Sequence, residues 1–206
     1  MLVVVTPAAS SDLTTLEAVR DRGVTGQTDP EVTAAIAEAS SRVAGYCGRV
    51  FGVTAYRQTE RGVCAGAIVL DAAGPVVEVS ALNADGTGLT ENTDFERDGF
   101  NLFRLSSDRR TSWSASKVVI DYSCGWKLPG DAERNLPQAI EGACLALVTR
   151  SFAAGDRDPD LVSESIVGVS RLEYAPFGSQ KGAPSKDGMP ADVAAMLDPF
   201  VCRTLA

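Results

Sequence analysis

The residues able to do chemistry are acids, thiols and a few basic side chains, because the chain contains no histidine. That removes the commonest general base and the commonest metal ligand together, and with them any Ser-His-Asp or Cys-His triad. The five cysteines (Cys47, Cys64, Cys124, Cys144, Cys202) are widely spaced, and no C-x-x-C pair occurs among them. This spacing speaks against a zinc knuckle or a redox motif and predicts reduced thiols. Cys47 and Cys144 fall on apolar helical faces, where a free cysteine behaves as a small hydrophobe. Asp156, Asp158 and Asp160 alternate like the opening of a calcium loop. Leu161 stands where that loop needs its glycine, and Val167 where it needs its bidentate glutamate. The acids therefore read as a helix-terminating loop. Gly86-Thr87-Gly88 lacks the third glycine of a phosphate cradle and is followed by no helical pattern, so it reads as a hairpin loop. No Gly-x-Ser-x-Gly elbow or P-loop is present. No catalytic residue, cofactor site or metal site is expected.

Two further groups are candidates for contact. Arg104, Arg109 and Arg110, with Lys117 nearby, are the basic residues best placed to touch DNA; the plainer reading is an exposed loop carrying solubilising charge. Trp113 and Trp126 are expected to cover the small sheet and to anchor a strand exit. A formal net charge of −8 argues against tight binding of nucleic acid through its phosphates.

These residues need a scaffold, and with 45% apolar residues the chain has material for a core. Ser11 or Asp12 is expected to cap a short helix carrying Leu13, Leu16 and Val19, stopped at Gly23. Asp29-Pro30-Glu31 predicts a second start, with Asp29 as cap, and Val32, Ile36, Ala39, Val43, Tyr46 and Cys47 recur at helical spacing. From about Ala55 to Trp126 the period changes. Ala67–Leu70, Val76–Val79, Asn101–Leu105 and Val118–Tyr122 are strand-like runs separated by turn signals such as Asp85-Gly86 and Asp98-Gly99. Beyond Asn135-Leu136-Pro137, Ile140, Cys144, Leu147, Val148 and Phe152 form one apolar stripe.

Residues 176–190 are mostly Pro, Gly and Ser, which predicts a mobile arm reaching roughly 50 Å at about 3.3 Å per residue. Pro190 then opens a short amphipathic piece with Val193, Met196, Leu197 and Phe200 on one side. Such a tip needs something to dock against, either its own body or a neighbour. No stretch approaches the roughly 18–20 apolar residues that span a bilayer, and Met1–Thr6 lacks the basic leader of a secretory signal.

The expected fold class is α+β, mainly helical: a small helical bundle with an inserted antiparallel β subdomain and an extended C-terminal arm. By residue, 1–54 are the N-terminal helices of the bundle and 55–130 the inserted β subdomain. Residues 131–155 are the long helix completing the bundle, and 156–206 the arm with its amphipathic tip.

The order of these elements resembles the head-to-tail connector (adaptor, or head completion) proteins of long-tailed bacteriophages and gene transfer agents. Asp29-Pro30-Glu31 followed by Ala39–Arg49 looks like the family's long helix. Asp121-Tyr122-Ser123-Cys124-Gly125-Trp126 looks like its strand end, and Asn135-Leu136-Pro137-Gln138-Ala139-Ile140 like its helix start. Ser163–Gly168 and Pro190–Phe200 look like its C-terminal arm. Two departures stand out: Cys124 replaces the usual alanine, and only Arg203 remains of a tail that often ends in several arginines.

The resemblance implies a structural virion protein, not an enzyme, made in the host cytoplasm and placed at the neck between head and tail. It implies a ring of this chain, usually of twelve copies. The portal protein would stand above and tail-side neck proteins (stopper or tail terminator) below, with packaged DNA passing through without sequence-specific binding and no membrane contact. Val193, Met196, Leu197 and Phe200 become portal-binding candidates, and Arg104, Arg109, Arg110 and Lys117 candidates for the DNA channel or a loop. Two alternatives compete: another neck or tail-completion protein, such as a stopper or tail terminator, and more remotely a small carboxylate-dependent hydrolase.

Overall fold

The computed structural model describes residues 1–71, 74–153, 163–166, 170–173 and 188–202, with the two short runs 163–166 and 170–173 described as backbone only. The acids Asp156, Asp158 and Asp160 and all but the last three residues of the 176–190 stretch lie outside the described residues. The chain forms two compact units: Met1–Ser10 with Val50–Lys127, and Ser11–Arg49 with Leu128–Ala206.

The first unit is all β. Its strands are β1 (Leu2–Thr6), β2 (Thr54–Ala65), β3 (Ile68–Val69), β4 (Val76–Ala84), β5 (Thr87–Leu89), β6 (Phe95–Asp98), β7 (Asn101–Ser106), β8 (Arg109–Thr111) and β9 (Trp113–Cys124). They make a five-stranded sheet in the order β1-β2-β9-β4-β5 and a four-stranded one in which β7 pairs with β3, β6 and β8. Every named pair is antiparallel. On β9, Val118, Ile120, Tyr122 and Cys124 alternate inward, as the two-residue period of a strand requires. They share a core with Ile68, Leu70, Leu82, Phe95, Leu102 and Trp113. Trp113 is sealed there and donates its indole N–H to the Leu102 carbonyl at 2.8 Å. Trp126 packs instead against Phe51, ring centroids 5.6 Å apart, where the chain leaves β9.

A polar amide sits against this core. Gln58, 1% exposed, donates to the Val69 carbonyl and to Glu60, and accepts from the Asp71 N–H and the Tyr122 hydroxyl. Its amide is fully satisfied, which is the condition for tolerating such a group away from water.

The second unit holds α1 (Leu16–Asp21), α2 (Asp29–Cys47), α3 (Gln138–Ala153), the strand pair β10 (Ser163–Ile166) and β11 (Ser170–Glu173), and α4 (Ala191–Leu197) followed by a 3-10 turn, Asp198–Phe200. The cap of α1 is Thr15, whose hydroxyl accepts from the Ala18 N–H at 3.2 Å, in place of the expected Ser11 or Asp12. The cap of α2 is Thr28, one residue before the expected Asp29: the Glu31 carboxylate accepts from the Thr28 N–H and hydroxyl at 2.7 and 2.9 Å. Thr28 holds the Glu31 carboxyl below its ordinary value. Most of the predicted stripes are buried: Val32, Ile36, Ala39, Val43 and Cys47 on α2, and Ile140, Cys144, Leu147 and Val148 on α3, with Tyr46 and Phe152 half-buried. Between the helices the Ser40 hydroxyl accepts from the Leu13 N–H at 3.0 Å and meets the Cys144 sulfur at 3.5 Å.

The expected mainly helical bundle is thus corrected. Among the described residues there are four α-helices, of which α1 and α4 have only six and seven residues, against eleven strands in antiparallel sheets. The reason is physical. On β2, Arg57 and Arg61 stand on one face and Glu60 on the other with Gln58, so no clean apolar alternation marks it, while β1 is a short apolar run with no alternation at all. Both were invisible to a search for apolar stripes.

Candidate functional site

The candidate residues form two surface regions, one in each unit. In the helical unit, Pro190 leads into α4, which packs along α3 and touches α2. Val193 and Leu197 are fully buried, and Met189 and Ala194 nearly so. Met196 is 36% exposed, and its methyl lies 3.1 Å from where a side chain on Gly142 would begin. Phe200 is half-buried. Four polar links fasten this segment. Arg150 forms a two-pronged ion pair with Asp192, one bond at 3.0 Å, and holds its carboxyl below the ordinary range. Tyr46 donates its hydroxyl to Asp198 at 2.8 Å, Arg42 donates to the Gly188 carbonyl at 3.1 Å, and the Cys202 N–H donates to the Cys47 carbonyl at 2.8 Å. Of the four tip candidates, two are therefore anchors in the unit's own core, while Met196 and Phe200 present apolar surface. Sequence reasoning missed these links, since nothing in the spacing of Arg150 and Asp192 or of Tyr46 and Asp198 announces a pair.

The basic candidates lie in the β unit. Arg104 donates to the Asp94 carbonyl at 2.7 Å, sits 3.8 Å from the Asp94 carboxylate, and has its guanidinium 5.9 Å from the centre of the Trp113 ring. Arg110 pairs with Glu96, stands 3.9 Å from Asp98, and lies over the Phe103 ring at 3.9 Å. Arg109 and Lys117 are exposed. Acids thus accompany two of the four cations, so the region is a mixed-charge surface and not a bare basic patch.

The other motifs resolve into structure. Asp85 and Gly86 both have positive φ (49° and 86°), the two central positions of a tight hairpin turn between β4 and β5. Asp85 spends both carboxylate oxygens on the Ser116 and Lys117 N–H groups, at 3.1 and 2.8 Å. A depression of about 480 Å³ beside this turn is bounded by Asp85, Arg104, Ser106 and Thr111–Ala115; Asp85 is its single acid, so it offers no carboxylate pair. Among the described residues no group of three or more Cys, Asp or Glu side chains is gathered as a metal cluster. No described helix is long and apolar enough to cross a membrane. Burial pushes the thiols of Cys47 and Cys144 up to about 11, as inert side chains of a core.

No family model matches the chain, and no curated protein matches it. Solved structures do. Over 100% of this chain and 98% of the other, it superposes on a chain from the neck of a native gene transfer agent particle computed with C12 symmetry, at 17% identity and a TM-score of 0.52. The same coverage is found for the neck of an empty particle computed with C6 symmetry (19%, 0.54) and for the virion of the native particle (16%, 0.53). The fold is that of these neck chains. This neck fold spans both units, and it agrees with the resemblance drawn from the order of sequence motifs.

Proposed function

We propose that the chain is a structural subunit of the neck of a tailed phage or gene transfer agent particle, forming a ring that adapts the portal to the tail. The observation that carries the proposal is the end-to-end likeness in fold to chains of necks computed with twelvefold and sixfold symmetry. Asp85, the acid beside the depression at the β4–β5 turn, is committed to the Ser116 and Lys117 backbone amides. The work is assembly: each subunit binds two neighbours and the portal, so weak contacts multiply. Tail-side neck proteins (stopper or tail terminator) dock on the opposite end, and DNA passes through a ring whose subunits each carry a net charge of −8, which disfavours adhesion to phosphates. Met196 and Phe200 supply the apolar contact with the portal, with Val193 and Leu197 as their anchors. Arg109 and Lys117 are the cations available to meet DNA.

The test is light scattering after size exclusion, with the full chain alone and mixed with its cognate portal. Truncating the C-terminal arm would strip Val193 and Leu197 from the helical core, so the surface variants Met196→Asp and Phe200→Asp are used instead. Co-elution as a ring that these variants weaken at least tenfold supports the reading. A full chain that stays apart from the portal overturns it.

A further inference from the structure

The five-stranded sheet ends in two open edges that differ in kind and match in size. One is β1. Its residues Leu2, Val3, Val4 and Val5 are 37, 44, 53 and 54% exposed, so both faces of an apolar edge strand stand in water. Natural sheets guard such an edge with charge, proline or a very short strand, and Leu2–Thr6 carries neither charge nor proline. Met1 and Thr59 exchange both main-chain bonds, at 2.9 and 2.8 Å. Antiparallel alternation then turns the N–H and C=O of Leu2 and Val4 away from β2, toward the free side.

The other edge is the first part of β4. The hairpin strand β5 covers only Leu82–Ala84, and among the described residues no strand lies along the outer side of Val76–Ala81, although the Arg97 guanidinium donates to the Val76 carbonyl at 3.1 Å. That stretch is apolar at Val76, Val77, Val79 and Ala81, with Val77 42% exposed. Five residues of β1 face six of β4.

We propose that β1 of one copy pairs with the Val76–Ala81 edge of β4 in the next copy, so that the sheet runs on from subunit to subunit around the ring. The inference rests on the ring reading above. A cyclic ring needs a head-to-tail interface, two different complementary surfaces on one chain, and opposite edges of one sheet are such a pair. Strand polarity agrees. Along the all-antiparallel path β1-β2-β9-β4, the first and last strands run in opposite directions. Copies in a cyclic ring point the same way along its axis. With strands along that axis, β1 of one copy therefore meets β4 of the next antiparallel, and the alternation continues unbroken.

The experiment places cysteines at Val4 and Val79 in a Cys64→Ser, Cys202→Ser background, under conditions where light scattering and negative-stain images report rings. A short bis-maleimide is then added. The doubly substituted chain is expected to give a ladder of covalent oligomers, and each single substitution to stay monomeric on a denaturing gel. Rings without a ladder overturn the edge pairing and leave the ring reading standing. Dimers from the Val4→Cys chain alone mean that β1 pairs with β1, which also overturns it. Neither rings nor ladder overturns both readings. Val4→Pro removes an outward N–H while sparing the bonds to β2, and Val4→Lys charges the edge with the main chain intact. Both are expected to raise the concentration at which rings form at least tenfold with unchanged monomer melting, and ring formation by both at wild-type concentrations overturns the pairing.

Discussion

Gly125 occupies the tightest point of the β unit, and Gly125→Ala is the perturbation whose outcome follows most directly from geometry. Its φ is +137°, a region that residues with a side chain rarely adopt, and an added Cβ would stand 2.5 Å from the Gly52 oxygen, 2.7 Å from the Gly52 carbonyl carbon and 2.8 Å from the Val53 Cα. All three are main-chain atoms, so no rotamer change relieves the contact. Hydrogen bonds hold the strands in place, Gly125 N–H to Pro75 at 2.9 Å and Trp126 N–H to Phe51 at 2.7 Å. Strain of about 1–3 kcal/mol for the backbone conformation and about 1–3 kcal/mol for forced overpacking give a loss of about 2–6 kcal/mol. Against a typical total of about 5–15 kcal/mol, that is a large fraction. Both tryptophans, Trp113 and Trp126, lie in this unit, so their fluorescence in a urea titration reports its unfolding. At a slope of about 2 kcal/mol per molar urea, the midpoint should fall by roughly 1–3 M. Gly99→Ala is the control: its φ is +59° with nothing within 4 Å, so only the left-handed cost of about 1–2 kcal/mol applies. A Gly125→Ala midpoint equal to or above that of Gly99→Ala would refute the reasoning.

Gln58→Leu removes the amide that meets the Val69 carbonyl, the Asp71 N–H and the buried Tyr122 hydroxyl, and should cost about 1–3 kcal/mol in the same titration. Leu197→Asp places a charge at a fully buried site and should cost about 3 kcal/mol or more, read by helical circular dichroism on heating, whereas Phe200→Asp should stay within about 1 kcal/mol. Asp192 is held below its ordinary value by Arg150, so the pair adds stability above the unfolded carboxylate range and loses it as pH falls through the folded value; Asp192→Asn should flatten that acid limb by less than about 1 kcal/mol, because both side chains are more than a third exposed. In the native protein at pH 8, a thiol reagent should modify exposed Cys64 well before Cys47 or Cys144, and equal rates at all three would show that the helical core opens readily.

The parts of the fold that could be read from sequence were those whose period is intrinsic to one element. α2 and α3 announce themselves because Val32, Ile36, Val43 and Ile140, Cys144, Val148 repeat within a single helix. What could not be read depends on which strand lies beside which. Arg104 and Arg110 looked like a cationic cluster because Asp94, Glu96 and Asp98 come earlier in the chain. Only the pairing of β6 with β7, which sets Phe95 opposite Arg104 and Glu96 opposite Phe103, brings those acids alongside. The α4 tip shows a related limit: its apolar side was plain, but a one-sided face does not name its partner, and Val193 and Leu197 spend theirs on the chain's own helices.

The interleaving of the two units along the chain has a consequence for synthesis. The helical unit takes Ser11–Arg49 from before the long β segment Val50–Lys127 and Leu128–Ala206 from after it. Ser40 and Cys144, which meet in its core, are 104 residues apart. At about 5–20 residues per second, α2 leaves the ribosome on the order of ten seconds before α3 arrives to cover it. During that interval Val50–Lys127, the rest of the β unit after the already synthesised Met1–Ser10, is made, so the sheet can close first while the apolar side of α2 waits in water. The nascent chain is then most exposed to chaperones and to misassembly at a stage when half of its folding is already finished.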